Sequence, residues 1–583
     1  MFSVNTRYGF LKVVPALLLV AVAFRLFDIQ VIHHEEYKAK AAETRIKQYE
    51  LEAKRGEVYL MDGDEDVVPA VINERTWTVF VDPSYVKDKD TVQKALEPIL
   101  GKQMIVGWDK VWENMKSQYI EIAHHVNYDT VAAVKEANLR GVGQKETSRR
   151  VYPFGEMASQ VLGFVNVEGV GTGIEGSLNE RLSGKNGMLK TVTDVNEIPL
   201  SIGDDNIEIP AEDGENIVLT IDENVQRKVE SILKNATEQK PGISKAAALV
   251  MNPNNGHIYA MANYPTYNPE EYWKVTDAGL FTNRTTESPY EPASVCKTFT
   301  YAAAINEGVL EPTDKYYNTG VTEVGDRKIQ NANGSTSHYG NITFTEALDY
   351  SLNTGSVEAL RRIGGGQISR QARTTLYNYL TDRFSLGRKT GIELYEEAGT
   401  IISPEEQEGN AVRYANMTFG QGMNLTMVQV AAGFSALINN GDYYQPTIVA
   451  GTVNDDGEFI PKTEEEPKYR RAIGEETSAT MRDMLVDVRR VNGGYADLPG
   501  YRVGVKTGTA ETYDASGNYT SDRTIAGALG FGSAGGEGNS TPEYVVLVRL
   551  DGDTLLWGSY DAVPVFTEIS NYMLQYLRIP PAQ

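Results

Sequence analysis

Cysteine is almost missing from this sequence: Cys296 is the one thiol in 583 residues. That excludes an internal disulfide and any metal site built from several thiolates. Histidine is scarce as well. The six residues stand as His33-His34, His124-His125, His257 and His338, and none has the HExxH spacing that puts two imidazoles on one metal. No metal or cofactor is therefore expected. Excess positive charge is lacking too, with 55 Lys and Arg against 79 Asp and Glu, a net charge of −24. Such a chain repels phosphate backbones, so nucleic acid is not an expected partner. Internal repeats are absent.

What is present suits a folded protein of several domains. Hydrophobic residues make up 41% and charged residues 23%, which is ordinary globular composition rather than that of a disordered chain. The length exceeds one core and implies about two or three domains. Near the N-terminus, after Arg7 and Lys12, "VVPALLLVAVAF" runs uncharged from Val13 to Phe24. It is short for a bilayer span, which needs about 20 residues. One reading is a cleaved signal peptide, with Ala21-Val22-Ala23 as the small-x-small site. The other is an uncleaved anchor from about Phe10 to Ile32, with Lys12 and Arg25 snorkelling to the interfaces. The anchor is favoured because "RLFDIQVI" continues apolar at helical spacing and no polar stretch precedes the cleavage site. Arg7 and Lys12 would keep the short tail inside. The expectation is a single-pass protein of the cytoplasmic membrane with its bulk extracytoplasmic.

Beyond the anchor, "HHEEYKAKAAETRIKQYELEAKRGEVYL" reads as a charged helix leading into a strand at Glu57–Leu60. Strand-like "TWTVFVDP" and helix-like "TVQKALEPIL" and "TVAAVKEANL" follow. "GDDNIEIPAEDGE", Gly203–Glu215, is acidic and loop-like, and a domain boundary is placed there. From Asn216 the texture changes. "NIVLTI" is a short strand. "DENVQRKVESILKNA" carries Val225, Val229, Ile232 and Leu233 on one helical face. Two apolar runs flank "NPNNG", a hairpin signal. Far downstream, "YRVGVKTGTAE", "TIAGALGFGS" and "EYVVLVRLDG" are strand candidates, and "VFTEISNYMLQYL" is an amphipathic helix. Strands at both ends of this half, with helices between, predict one sheet closed by both ends around a helical insertion.

Three short motifs carry chemistry. In "EPASVCKTFTYAAAINEG", Pro292 suits a helix start and Gly308 a stop. Ser294 and Lys297 then share a helix face, about 5–6 Å apart at Cβ. A serine hydroxyl becomes a nucleophile when a base takes its proton. A lysine can be that base if burial or a second cation lowers its pKa. Cys296 is a rival nucleophile, but it lies about 200° around the helix from Ser294 and so faces the core if Ser294 faces a cleft. In "ITFTEALDYSLNTGSVEALRRIG", Thr343 and Glu346 form a capping box. Ser351 and Asn353 fall at a helix junction, where both can face one cavity if the segment is extended. In "YRVGVKTGTAE", Lys506 supplies positive charge, Thr507 and Thr509 supply hydroxyls, and Gly508 lets a ligand backbone lie close. Each motif alone also fits an ordinary helix, corner or strand.

Taken in order, Ser-x-x-Lys, Ser-x-Asn and Lys-Thr-Gly are the boxes of penicillin-binding proteins and class A β-lactamases. The chain resembles class B penicillin-binding proteins along nearly its whole length. "AALVMNPNNGHIYAMANYPTYNP" is similar to that family's opening hairpin, "YEPASVCK" to its active-serine box and "FGQGMNLTMVQVAAGFSALINNG" to its glycine-containing segment. "RLFDIQVI", "KRGEVYLMDG", "RRVYPFGEMASQVLGFVN" and "GTGIEGSLNERLSGKNG" resemble its membrane-proximal and pedestal motifs. The resemblance implies an α+β multidomain fold. A tail and membrane helix would span 1–32, and a mixed α/β pedestal of the dimerisation type 33–215. Residues 216–583 would be a β-lactamase-like transpeptidase domain, an antiparallel sheet flanked by helices with a helical subdomain.

It also implies roles. Ser294 would be the acylated nucleophile and Lys297 its base. Ser351 would relay protons, Asn353 would hold the donor peptide amide, and Lys506, Thr507 and Thr509 would bind a terminal carboxylate. The backbone N–H groups of Ser294 and Thr509 would form the oxyanion hole, and Gly508 would join Lys506, Thr507 and Thr509 as a substrate-binding residue. The activity implied is D,D-transpeptidation of peptidoglycan stem peptides ending in D-Ala-D-Ala, with β-lactams acylating the same serine. No glycosyltransferase segment is visible, so a SEDS-type membrane glycosyltransferase and a wall-synthesis complex are the implied partners. Three departures stand out: Cys296 in place of a larger apolar residue, Val505 where glycine is common before the lysine, and "YLMDG" without the usual arginine-asparagine pair. Rival functions on the same boxes are a β-lactamase, a D,D-carboxypeptidase, a β-lactam sensor and a scaffold without catalysis. The long pedestal argues against the first, the single membrane segment against the third, and the intact boxes against the last.

Overall fold

The computed structural model describes residues 4–34, 46–63, 65–166, 168–192, 207–332, 338–463, 466–513, 519–535 and 540–582. Two compact units divide the chain: Met1–Gly56 with Ser183–Glu215, and Glu57–Leu182 with Asn216–Gln583.

In the first unit, Val4–Phe27 is an α-helix continued by a π-turn through Ile32. Its stretch Pro15–Ile32 has a mean hydropathy of 1.9 and no buried residue. It is the one helix among the described residues long and apolar enough to cross a membrane. Arg25 is ion-paired with Asp28 at 2.6 Å, one turn on, which lowers the cost of both charges beside an apolar stretch. The charged helix expected after it is corrected in part. Residues 35–45 lie outside the described residues, and Ile46–Leu51 is a strand paired antiparallel with Gly187–Val192. The acidic loop is likewise interrupted by a strand, Ile207–Ile209, on the other edge of Gly187–Val192. Both segments are charge-rich and lack a local strand pattern. Pairing with a distant strand satisfies their backbone groups and overrides propensity.

The second unit contains two large sheets and two two-stranded ones, Lys315–Asn318 with Gly340–Thr343 and Val321–Val324 with Arg327–Gln330. The first runs in the order Phe459–Pro461, Val449–Val453, Asn216–Asp222, Val58–Asp62, Asp66–Val81, Ile120–Val126, with Val142–Val151 also on Asp66–Val81. Its helices include the expected Lys89–Leu100 and Tyr128–Glu136, N-capped by Asp88 and Asn127. Asn216–Asp222 pairs in parallel with Val58–Asp62, so strands from either side of the Gly203–Glu215 segment share a sheet.

The second sheet is antiparallel, in the order Ile258–Tyr264, Ile243–Met251, Tyr544–Gly552, Tyr519–Ala534, Tyr501–Tyr513. The expected hairpin supplies its first two strands and the three C-terminal strands supply the rest. Strand alternation splits its side chains between two cores. Val546 and Val548 pack with the helices Glu223–Gln239 and Val563–Tyr576. Val545 and Leu547 face the other way, into a cluster with Phe299, Phe434 and Phe531. That second face carries the helical insertion: Lys297–Asn306, Asn353–Ile363, Met427–Ile438 and Glu475–Val491. The Tyr501–Tyr513 strand is left at the sheet edge, against the turn that carries Ser294.

Candidate active site

Ser294 lies in a 3-10 turn, Ala293–Cys296, that leads directly into the helix Lys297–Asn306. Ala293 holds a left-handed φ of 52°, and its N–H donates to the Gly420 carbonyl at 3.2 Å. From Glu291 through Ala304, every side chain is buried except that of Ser294. Cys296 is fully buried in the core. The thiol therefore faces away from the opening that the serine faces, as helical spacing predicts.

Four of the expected residues meet behind this turn. Lys297 Nζ donates to the Ser351 carbonyl at 2.5 Å, to Ser351 Oγ at 3.2 Å and to Asn353 Oδ1 at 2.8 Å. Lys506 Nζ donates to Ser351 Oγ at 2.8 Å and to the Thr507 carbonyl at 3.2 Å. One serine hydroxyl thus bridges two lysines brought together from a helix and a distant strand. The segment is not extended, as the two-apart spacing suggested. Ser351 has a left-handed φ of 56°, and this turn aims both its carbonyl and its hydroxyl at Lys297. Asn353 Nδ2 donates to the Gln330 carbonyl at 2.8 Å, leaving its second N–H for another acceptor.

Thr507 and Thr509 are half-exposed on the edge strand. Thr509 Oγ1 accepts from Gly558 N–H at 3.0 Å and keeps its own proton to donate. Gly508 also has a close neighbour within the protein. A Cβ there would stand 2.8 Å from the Pro292 carbonyl, so its close neighbour is the serine turn itself. Val505 is buried among the helices on the opposite face from Lys506 and has no side chain in the site.

A family model for the penicillin-binding protein transpeptidase domain matches residues 246–571, and one for the penicillin-binding protein dimerisation domain matches 50–219. The chain belongs to the class B penicillin-binding proteins. It is 30% identical to stage V sporulation protein D of Bacillus subtilis, over 99% of this chain and 87% of that one. It is 27% identical to the peptidoglycan D,D-transpeptidase FtsI of Escherichia coli, over 97% of this chain and 91% of the relative. Penicillin-binding protein 2X of Streptococcus thermophilus shares the fold, with a TM-score of 0.70 at 23% identity over 91% of this chain and 80% of that chain. Penicillin-binding protein 3 of Mycobacterium tuberculosis, solved with aztreonam, shares it with a TM-score of 0.66 at 23% identity over 92% and 98%.

In this penicillin-binding protein the two lysines are fully buried. Burial first, and the positive charge of Lys506 second, hold Lys297 well below the ordinary lysine range. Burial lowers Lys506 to about 7, against the opposing pull of Asp349. Asp349 is itself pushed up to about 6 by burial and by Asp487 and Glu346, with Lys506 acting the other way. Burial pushes the Cys296 thiol far up, with Glu291 adding to it, so this sulfur stays protonated and unreactive.

Sequence reasoning missed the clamp on the serine turn. Glu291 Oε1 accepts from Gly422 N–H at 2.8 Å and from Tyr519 Oη at 2.7 Å. Gly420 lies so close that a Cβ would be 2.1 Å from the Ala293 carbonyl. The paired glycines of "FGQGM" were the available signal. A cavity of about 830 Å³ opens at this clamp, with Arg327, Arg413, Gly422 and Tyr519 in its lining.

Proposed function

We propose that this protein is a serine-type peptidoglycan D,D-transpeptidase that cross-links stem peptides and is acylated by β-lactams. One observation carries the reading: the Lys297–Ser351–Lys506 hydrogen-bonded group stands behind the one unburied side chain of the serine turn. A lysine whose proton affinity is lowered by burial and a neighbouring cation is a base matched to a serine nucleophile.

Ser294 Oγ bonds to the carbonyl carbon of the penultimate D-alanine and passes its proton to Lys297 Nζ. The backbone N–H groups of Ser294 and Thr509 receive the developing oxyanion. The C–N bond to the terminal D-alanine breaks, and its nitrogen takes a proton through Ser351 Oγ as D-alanine leaves. An amine of a neighbouring stem then attacks the ester carbonyl and loses its proton to the same relay, the C–O bond to Ser294 breaks, and the relay returns a proton to Ser294 Oγ. Lys506, Thr507 and Thr509 hold the substrate's terminal carboxylate, and Gly508 keeps their strand tight against the serine turn. A bound carboxylate raises the proton affinity of Lys506, and a charged Lys506 keeps Lys297 neutral. Asn353 uses its free N–H for the donor peptide, which adds along the edge strand with the cavity lined by Gly422 and Tyr519 as room for the stem.

The functional division proposed is an anchor over 1–32, a pedestal over 33–215 and a catalytic domain over 216–583. The helix from Val4 places the catalytic domain outside the cytoplasmic membrane and pairs with a SEDS-type glycosyltransferase within a wall-synthesis complex. Exchange of residues 4–32 for an unrelated membrane helix should release that partner in a pull-down. Catalysis is tested by fluorescent penicillin on the full chain in detergent. Wild type and Cys296→Ser should label and Ser294→Ala should not. Loss of label in Cys296→Ser, or a folded wild type that never labels, overturns the assignment.

A further inference from the structure

Two pairs of aromatic rings, linked through the adjacent His338 and Tyr339, lie on the helical insertion, with one ring at the residue before Ser351. Tyr350, adjacent to Ser351 in the chain, stacks on His338 with ring centroids 3.5 Å apart. Tyr339 follows His338 and meets Tyr317 edge to face at 5.5 Å. Tyr317, Tyr339 and Tyr350 are 56%, 61% and 38% exposed, so none of the three is a core residue.

The shelf is fixed to the catalytic element. Asn318 Nδ2 donates to the His338 carbonyl at 2.7 Å. Thr354 Oγ1, one residue past Asn353, donates to Asn318 Oδ1 at 3.0 Å, and Tyr316 Oη contacts Thr354 Oγ1 at 3.0 Å. Tyr317 stands on the strand Lys315–Asn318, which pairs with Gly340–Thr343 just past Tyr339. A rigid, water-facing array of rings gains nothing for folding that buried rings would not gain better. It presents flat apolar faces with polar rims.

We propose that this shelf binds the glycan of the substrate, stacking N-acetylhexosamine rings on Tyr317 and Tyr339. The inference rests on the transpeptidase reading. Each stem peptide hangs from a sugar, and a peptide with its D-alanine end at Ser294 has its sugar end within the reach of surfaces flanking the cleft. Sugar rings carry an apolar C–H face that matches an aromatic plane and an equatorial rim of hydroxyl and amide groups that matches phenol hydroxyls. The four rings include no acidic or permanently charged group, in a chain of net charge −24, which suits a neutral saccharide.

The test compares two donors on the full chain in detergent: a D-Ala-D-Ala stem peptide alone, and the same peptide on an N-acetylglucosamine–N-acetylmuramic acid oligomer. The variants are Tyr317→Ala/Tyr339→Ala and Tyr317→Phe/Tyr339→Phe. For the alanine pair, KM for the glycan-bearing donor should rise about tenfold, while KM for the bare peptide and the rate of penicillin acylation stay at wild-type values. The phenylalanine pair, which keeps the rings, should retain most of the affinity. Equal KM changes for both donors, or none for either, overturn the proposal. So does a variant that processes both donors normally but loses a protein partner. Normal penicillin acylation in the alanine pair confirms its fold. Failure of wild type to take penicillin would instead overturn the transpeptidase reading.

Discussion

Two buried lysines share one serine hydroxyl, and the proton on each sets what the site can do. In the proposed mechanism Lys297 must be neutral to accept the Ser294 proton, and Lys506 must be charged to hold a carboxylate. Burial would discharge both. Asp349, half-buried two residues before Ser351, opposes that for Lys506 alone. The groups that set its charge are Glu346 on its own helix, Asp487 on Glu475–Val491 and Lys506 on the edge strand. Ionised above about 6, the Asp349 carboxylate raises the proton affinity of Lys506, whose pKa lies at about 7. Asp349→Asn removes that attraction, so Lys506 loses its proton at lower pH. The falling alkaline limb of kcat/KM for a carboxylate-terminated substrate should then move to lower pH. At pH 8 the rate should fall about tenfold below wild type, and at pH 6 by about twofold or less. A pH–rate profile from 5 to 9 checks this. A uniform loss with an unmoved limb would make Asp349 merely structural.

Between elements, the contact that matters joins the serine turn to the edge strand. Gly508 lets the Lys506 strand approach the Pro292 carbonyl, and an added methyl would meet that oxygen at 2.8 Å. Backbone cannot give as a flexible side chain can, so Gly508→Ala should push strand and turn apart. Overpacking of this kind costs about 1–3 kcal/mol, within reach of a folded protein, whereas misplacement by an ångström costs about a hundredfold in rate. Penicillin acylation should therefore drop by at least roughly tenfold with only a modest fall in melting temperature, measured by stopped-flow labelling and calorimetry. The strand, the hairpin at Asn252–Gly256 and the Thr343–Glu346 capping box were all legible because each rests on local pattern or turn chemistry. The three boxes whose residues meet at Lys297, Ser351 and Lys506 were legible as a family resemblance. The left-handed turn at Ser351, the Glu291 clamp and the strand Ile46–Leu51 were not, since each depends on partners far along the chain. Gly508 was legible as a close approach, but the Pro292 carbonyl as its neighbour within the protein was not, because spacing says that room is needed and not for what.

At the scale of the whole molecule, the boundary proposed at Glu215 does not divide the apolar core. Val58, Leu60, Val161, Leu162 and Ile174 belong to the same apolar cluster as Phe299 and Phe434 in the catalytic half. Burying such side chains contributes about 1.5–3 kcal/mol each. Removing them would cost an amount comparable with the entire margin of about 5–15 kcal/mol that holds a domain folded. It would also bare the edge of Asn216–Asp222, which pairs with Val58–Asp62. A chain begun at Asn216 is thus a poor probe of what the N-terminal half recruits, since loss of a partner would be confounded with loss of fold. Exchange of residues 4–32 avoids this, because no residue of Pro15–Ile32 is buried. The exchanged protein should melt at the wild-type temperature and take penicillin at the wild-type rate, yet fail to bring down the glycosyltransferase from detergent-solubilised membranes. If the glycosyltransferase still comes down, its contact lies on the pedestal and the helix serves only to tether.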